Sequence, residues 1–237
     1  MSLPLSKTLD PADFDQLTEE LAIVDQYFTS EREQHPMRRW EYAMALRALA
    51  TWKEGRDYRD PSTIADIGGG GSPFSLMLKD PHPIVIDPSE SGGEDLAHYL
   101  TTPHWSMDES HPMLQQAVFC LSVIEHVDDL DRFLYHLSCL VAPGGLLFLT
   151  FDTTNSPEDE DRYHFHWMRK RIFRWTPELD PQFIGFRSPF VYLPNVTFLL
   201  AALTQQNFTL LGEIDGIWHG NQVYDYSFAS LALVKRL

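Results

Sequence analysis

Apolar residues recur along this chain at two spacings, and the spacings divide it into elements. Phe14, Leu17, Leu21, Val24 and Phe28 follow in steps of three and four, one face of a helix. Asp10-Pro11-Ala12-Asp13 opens it with a capping acid, a proline in the first turn and a second acid near the positive end of the dipole. Met37, Trp40, Met44 and Ala48 share a second helical face, predicted from Pro36 to near Gly55, with Arg38, Arg39 and Arg47 along its flanks. Short continuous apolar runs then take over, the mark of strands buried on both faces. Ile64 to Ile67, Ile84 to Asp87 and Ala117 to Leu121 are three such runs. Leu146 to Asp152 is a fourth, entered through the turn Ala142-Pro143-Gly144-Gly145. Helices are predicted at Phe74–Leu78, from Asp128 to about Leu140, and from Asn195 with Phe198, Leu199 and Ala202 inward. Phe208–Ile214 and Tyr226–Lys235 are strands with no helix between them, hence an antiparallel pair. The alternation predicts an α/β fold: a mostly parallel sheet with an antiparallel C-terminal strand and helices on both faces.

The stretch Ile64-Ala65-Asp66-Ile67-Gly68-Gly69-Gly70-Gly71-Ser72-Pro73 reads as strand, glycine loop and helix start. Ser72 is the expected N-cap and Pro73 the first helical residue. In an open α/β sheet, ligands bind beyond the carboxyl end of such a strand. A dinucleotide fingerprint requires a glycine three residues after its second glycine, and Pro73 or Phe74 stands there. A nucleotide-cofactor oxidoreductase is therefore disfavoured. No Gly-Lys-Ser/Thr follows, which excludes a P-loop. Asp66, two residues before the first glycine, suits a ligand bearing an ammonium group rather than a pyrophosphate. Asp87, 19 residues beyond Gly68, ends its strand where an acid can accept hydrogen bonds from two ribose hydroxyls.

Composition narrows the partners. The 237 residues carry 18 Lys and Arg against 34 Asp and Glu, a formal net charge of -16, which argues against nucleic acid as partner. The densest basic cluster, Arg169-Lys170-Arg171 with Arg174, reads as a solvated helix face. No apolar run reaches the roughly 20 residues of a membrane span, and Met1–Thr8 lacks a signal peptide's apolar core. Cys120 and Cys139 lie in apolar segments and read as free thiols of a reducing cytoplasm.

The ordered set of glycine loop, strand-end acid, Ser122-Val123-Ile124-Glu125-His126-Val127 and Pro-Gly-Gly turn, spanning Ile64 to Asp152, resembles the class I S-adenosylmethionine-dependent methyltransferases of small molecules. The departure is Ser72, where the family's first motif carries its third glycine. The resemblance implies a Rossmann-like seven-stranded sheet, S-adenosylmethionine as cofactor and a small-molecule acceptor methylated on O or N. It assigns Asp66, Gly68, Gly69, Gly70, Ser72, Asp87, Pro88, Leu121, Ser122 and Val123 to the cofactor. Asp108 is either the adenine contact or a solvated loop acid. Residues 1–60 become an N-terminal helical cap, which either closes over the cofactor or only covers the sheet. Residues 61–237 become the methyltransferase domain, with 153–194 an insertion forming the acceptor pocket. A catalytically silent cofactor-binding protein is the alternative within the same fold.

Methyl transfer needs a base only when the acceptor must lose a proton. His126 titrates near neutrality just past a strand's carboxyl end, and is either that base or a helix-start histidine bonded to backbone. Glu125 either orients it or is a first-turn acid. His164 and His166 lack a third ligand, so no metal is expected.

Overall fold

The structure, a computed structural model, describes residues 3–28, 36–54, 63–69, 72–78, 83–87, 114–124, 127, 130–154, 191–192, 196–216 and 227–237. In chain order the elements are β1 (Lys7–Thr8), α1 (Asp13–Gln16), α2 (Thr18–Tyr27), α3 (Pro36–Lys53), β2 (Ile64–Ile67), α4 (Phe74–Met77), β3 (Ile84–Ile86) and β4 (Gln115–Leu121). Then follow α5 (Leu130–Leu140), β5 (Val141–Thr154), β6 (Val191–Tyr192), α6 (Val196–Gln205), β7 (Phe208–Leu210) and β8 (Ser227–Lys235).

The strands form one sheet in the order β1-β8-β5-β4-β2-β3, with β6 added to β5 and β7 to β8. Neighbours β3, β2, β4, β5 and β6 are parallel, and β8 is antiparallel to β5, β7 and β1 alike. Seven strands thus follow the expected mostly parallel pattern, and the two-residue β1 makes an eighth. It lies on the same edge of β8 as β7, further along: β7 meets residues 233–235 and β1 meets 229–230.

The period of two along each strand sorts side chains onto two cores. Ile64, Ala117, Phe119, Leu146, Phe148 and Phe228 face α1 to α4, whereas Ala65, Ile67, Val118, Leu147, Leu149 and Phe151 face α5 and α6. Helices thus cover both faces. Because α3 bonds Thr150 near one end of β5 and Gly144 near the other, through Glu41 and Trp52 respectively, it runs antiparallel to the strands along one face.

The structure departs from the sequence expectation most clearly in the following features. The first helix is divided at Leu17, whose backbone leaves helical geometry (φ -106°, ψ 21°). Asp13 is tied at 2.5 Å to Lys7 and at 2.8 Å to Trp40, so distant partners rather than helical continuation set its orientation. The Pro-Gly-Gly turn lies inside β5, not before it. Gln115 pairs with Val141 and Ala117 with Leu146, so residues 142–145 bulge opposite Gln116. The third expected strand, β3, is not buried on both faces: Val85 is exposed, since β3 is the outermost strand of the described sheet. Finally, α4 starts one residue late, with Pro73 in the capping position in place of Ser72. The insertion expected at 153–194 lies largely outside the described residues.

Candidate functional site

Where β2 ends, the chain turns back on itself through two glycines where a Cβ would overlap a neighbouring side chain. Gly68 has φ +74°, and a Cβ there would overlap the Val123 side chain. A Cβ on Gly69 would overlap the Asp66 carboxylate. The loop is pinned by Gly68 N–H donating to Ile86 O at 2.8 Å and Ser72 N–H to Gly69 O at 2.9 Å. Ser72, though not the helix cap, accepts from Phe74 N–H at 3.2 Å through Oγ, and Oγ lies 3.0 Å from the Tyr42 hydroxyl.

Asp66 lies on the α3 face of the sheet by the alternation that places Ile64 there. It is 1% exposed, and its Oδ2 has no hydrogen-bond partner among the described residues. Burial, reinforced by the charges of Glu41 and Asp87, pushes its carboxyl up to about 7. Asp87, just past β3, is also buried.

Glu41 comes down from α3 onto the carboxyl ends of β4 and β5. It accepts the Ser122 hydroxyl at 2.6 Å and the Thr150 hydroxyl, and pairs with Arg38 at 2.6 Å. Ser122 holds a left-handed backbone (φ +52°), fixed by its N–H donating to Thr150 O at 3.0 Å and Oγ1 at 3.1 Å. This turn delivers Val123 against Gly68. The Arg38 guanidinium lies 5.3 Å from the centre of the Phe228 ring, within cation–π range. Asp152, two residues after Thr150 on the same face, is raised to about 7 by burial, with Arg38 opposing the shift and Glu41 adding to it. Burial first, then Glu41, pushes the Tyr42 phenol up to about 12. Among the described residues, Arg38 thus acts on Glu41 and Asp152, and Glu41 and Asp87 act on Asp66. Among the described residues no group of three potential ligands is placed to hold a metal ion.

Of the residues singled out in the sequence, Asp66, Gly68, Gly69, Ser72, Asp87, Leu121, Ser122 and Val123 converge on the carboxyl ends of β2, β3 and β4. Gly70, Pro88, Asp108, Glu125 and His126 lie outside the described residues, as do His164, His166 and the basic cluster at 169–174. Arg39 turns away from this cluster and pairs with Asp25 at 2.7 Å. Sequence reasoning missed Glu41, Tyr42, Thr150 and Asp152. A signal for Glu41 existed: four residues after Met37 and three before Met44, it falls on the helix stripe read as apolar.

No family model and no curated protein sequence matches the chain. Among solved structures it is similar to the plantazolicin methyltransferase BpumL, in complex with a triazolic desmethylPZN analog and S-adenosylhomocysteine, at 12% identity over 95% of this chain and 99% of that one (TM-score 0.50). It is also similar to the N-methyltransferase NodS from Bradyrhizobium japonicum WM9 in complex with S-adenosylhomocysteine, at 16% identity over 94% and 97% of the two chains (TM-score 0.47). An O-methyltransferase family protein from Burkholderia thailandensis shares 13% identity over 95% of this chain and 69% of that one (TM-score 0.48). At such identities the likeness is one of fold, and the fold is that of the class I S-adenosylmethionine-dependent methyltransferases.

Proposed function

We propose that the protein is an S-adenosylmethionine-dependent methyltransferase that transfers a methyl group to an O or N of a small-molecule acceptor. The observation that carries this reading is Asp66: a buried carboxylate oxygen without a partner among the described residues, under a glycine loop, among acids, in the fold shared with BpumL. Leaving a buried polar atom unsatisfied is costly, so such an atom in a native structure calls for an explanation, of which a bound cation is one. A cationic ligand satisfies it. S-adenosylmethionine carries a sulfonium and an ammonium, and S-adenosylhomocysteine occupies BpumL.

Each residue has a part. Asp66 receives the ammonium group, and Asp87 accepts the ribose hydroxyls. Gly68, Gly69, Gly70 and Ser72 bring backbone close to the ligand. Pro88, Leu121, Ser122 and Val123 wall the nucleoside, and Asp108 meets the adenine. The bound cofactor supplies an already activated methyl group, so the protein contributes mainly proximity and alignment. His126 takes a proton from an acceptor that carries one, and Glu125 orients it. Residues 1–60 cap the site and 153–194 shape the acceptor pocket. A cytoplasmic location fits the free thiols Cys120 and Cys139.

Calorimetric titration with S-adenosylmethionine and S-adenosylhomocysteine tests the reading, with mass spectrometry of ligands retained through native purification to identify the acceptor. Binding of both is expected. Absence of binding at millimolar concentration overturns it.

A further inference from the structure

Resting on that reading of the site, we infer that Asp66 holds a proton in the ligand-free protein and surrenders it when an ammonium group is seated against it. The geometry leads there directly. A carboxylate with 1% exposure, one of whose oxygens has no partner among the described residues, is poorly placed to carry a negative charge. The charged groups that act on it are themselves acids, Glu41 from α3 and Asp87 from the end of β3, and the Tyr42 phenol of α3 faces it as well. Arg38, the α3 cation that pairs within this cluster, is engaged by Glu41 at 2.6 Å. Gly69 lies so close to the carboxylate that a Cβ there would overlap it. The carboxyl held up at about 7 agrees with this arrangement.

The exchange balances simply. The neutral acid and the ligand's ammonium give a carboxylate–ammonium pair, and one proton leaves to solvent. The pair adds no net charge to the buried cluster, whereas an ionised Asp66 awaiting ligand would face two like charges.

The experiment is calorimetric titration of S-adenosylhomocysteine into the full chain in two buffers of different ionisation enthalpy. Release of about half a proton per site is expected at pH 7, with affinity rising about tenfold between pH 6 and pH 8. 5′-Methylthioadenosine, which keeps the nucleoside and thioether but lacks the amino-acid end, is expected to bind without proton release. Asp66→Asn is expected to abolish both the release and the pH slope with S-adenosylhomocysteine. Binding of S-adenosylhomocysteine without proton release overturns this inference and leaves the proposed function standing. Equal release with 5′-methylthioadenosine, or in the Asn variant, also overturns it, by locating the proton elsewhere. Failure of S-adenosylhomocysteine to bind at all overturns both. Should the variant not fold, the wild-type comparison of the two ligands decides alone.

Discussion

The Glu41 carboxylate and the Ser122 hydroxyl meet at 2.6 Å across 81 residues of chain. Through this contact a helix that precedes the sheet reaches the turn that follows β4. The adjacent Tyr42 reaches Ser72 at the far end of the glycine loop. Two successive residues of α3 thus hold both loops that frame the site.

Glu41→Ala leaves the buried Thr150 hydroxyl, the half-buried Ser122 hydroxyl and the Arg38 guanidinium without this acceptor. Arg38 keeps 41% exposure, so water compensates part of the loss. Destabilisation on the order of 3 kcal/mol is expected in urea unfolding, with Glu41→Gln intermediate. A loss below about 1 kcal/mol would mean that apolar packing alone seats the helix.

Asp87→Ala is expected to weaken S-adenosylhomocysteine binding by about 2–4 kcal/mol, the cost of losing hydrogen bonds from two hydroxyls to a charged acceptor. Asp87→Asn should be intermediate. Wild-type affinity in the Ala variant would remove Asp87 from the ribose.

Arg38 and Arg39 are neighbours in sequence with opposite surroundings. Arg38 joins the Glu41–Asp152 cluster, and Arg39 pairs with Asp25 on the surface. Arg38→Met is expected to lower cofactor affinity at least tenfold, and Arg39→Met to leave it within twofold, both by calorimetry. Equal effects would end any specific role of α3 at the cofactor's amino-acid end.

Stability should carry the signature of a raised acid. Asp66 rises from 3.8 unfolded to about 7 folded, so between those values the folded chain binds more protons than the unfolded one. That contribution to stability is present at mildly acid pH and fades as pH climbs, by up to about 1.4 kcal/mol per pH unit for one group, then levels off above pH 7. Other carboxylates add their own slopes, so the informative quantity is wild type minus Asp66→Asn. That difference is expected to move against the wild type from about pH 4 to pH 7. A flat difference would mean that Asp66 is ionised in the ligand-free fold.

His126→Ala is expected to reduce turnover by about 10²–10⁴-fold with cofactor affinity unchanged, if the acceptor must lose a proton. The rate should then rise with pH through a histidine-like pKa. A flat profile with a loss under tenfold would assign the acceptor to nucleophiles that need no base.

Much of this architecture was legible in the chain because local signals were strong. The stripe Met37, Trp40, Met44, Ala48 marked a helix that runs from Pro36 to Lys53, and all four side chains are buried. The strand-loop-helix order around Gly68 stands, as does the antiparallel pairing of β7 with β8. What was illegible depends on distant partners. Leu17 continues a regular apolar face, and the ties of Asp13 to Lys7 and Trp40 just before it have no local signal. Asp152 closes an apolar strand and looks like an ordinary loop acid. Its character comes from Arg38 and Glu41, more than a hundred positions away.

The placement of β8 bears on how the chain assembles during synthesis. Ser230 donates to Leu5 O, a contact spanning 225 residues. The nascent chain can build its parallel half from β2 to β5 early, but the outer edge of β5 stays open, and β1 has nothing to pair with, until residues 227–235 emerge and slide between them. Such a long-range closure is slow relative to local structure. An edge of parallel sheet left open in the interval invites pairing with a neighbouring chain. A chain cut short of β8 would remain arrested at that stage, with its helices formed and an adhesive central strand exposed.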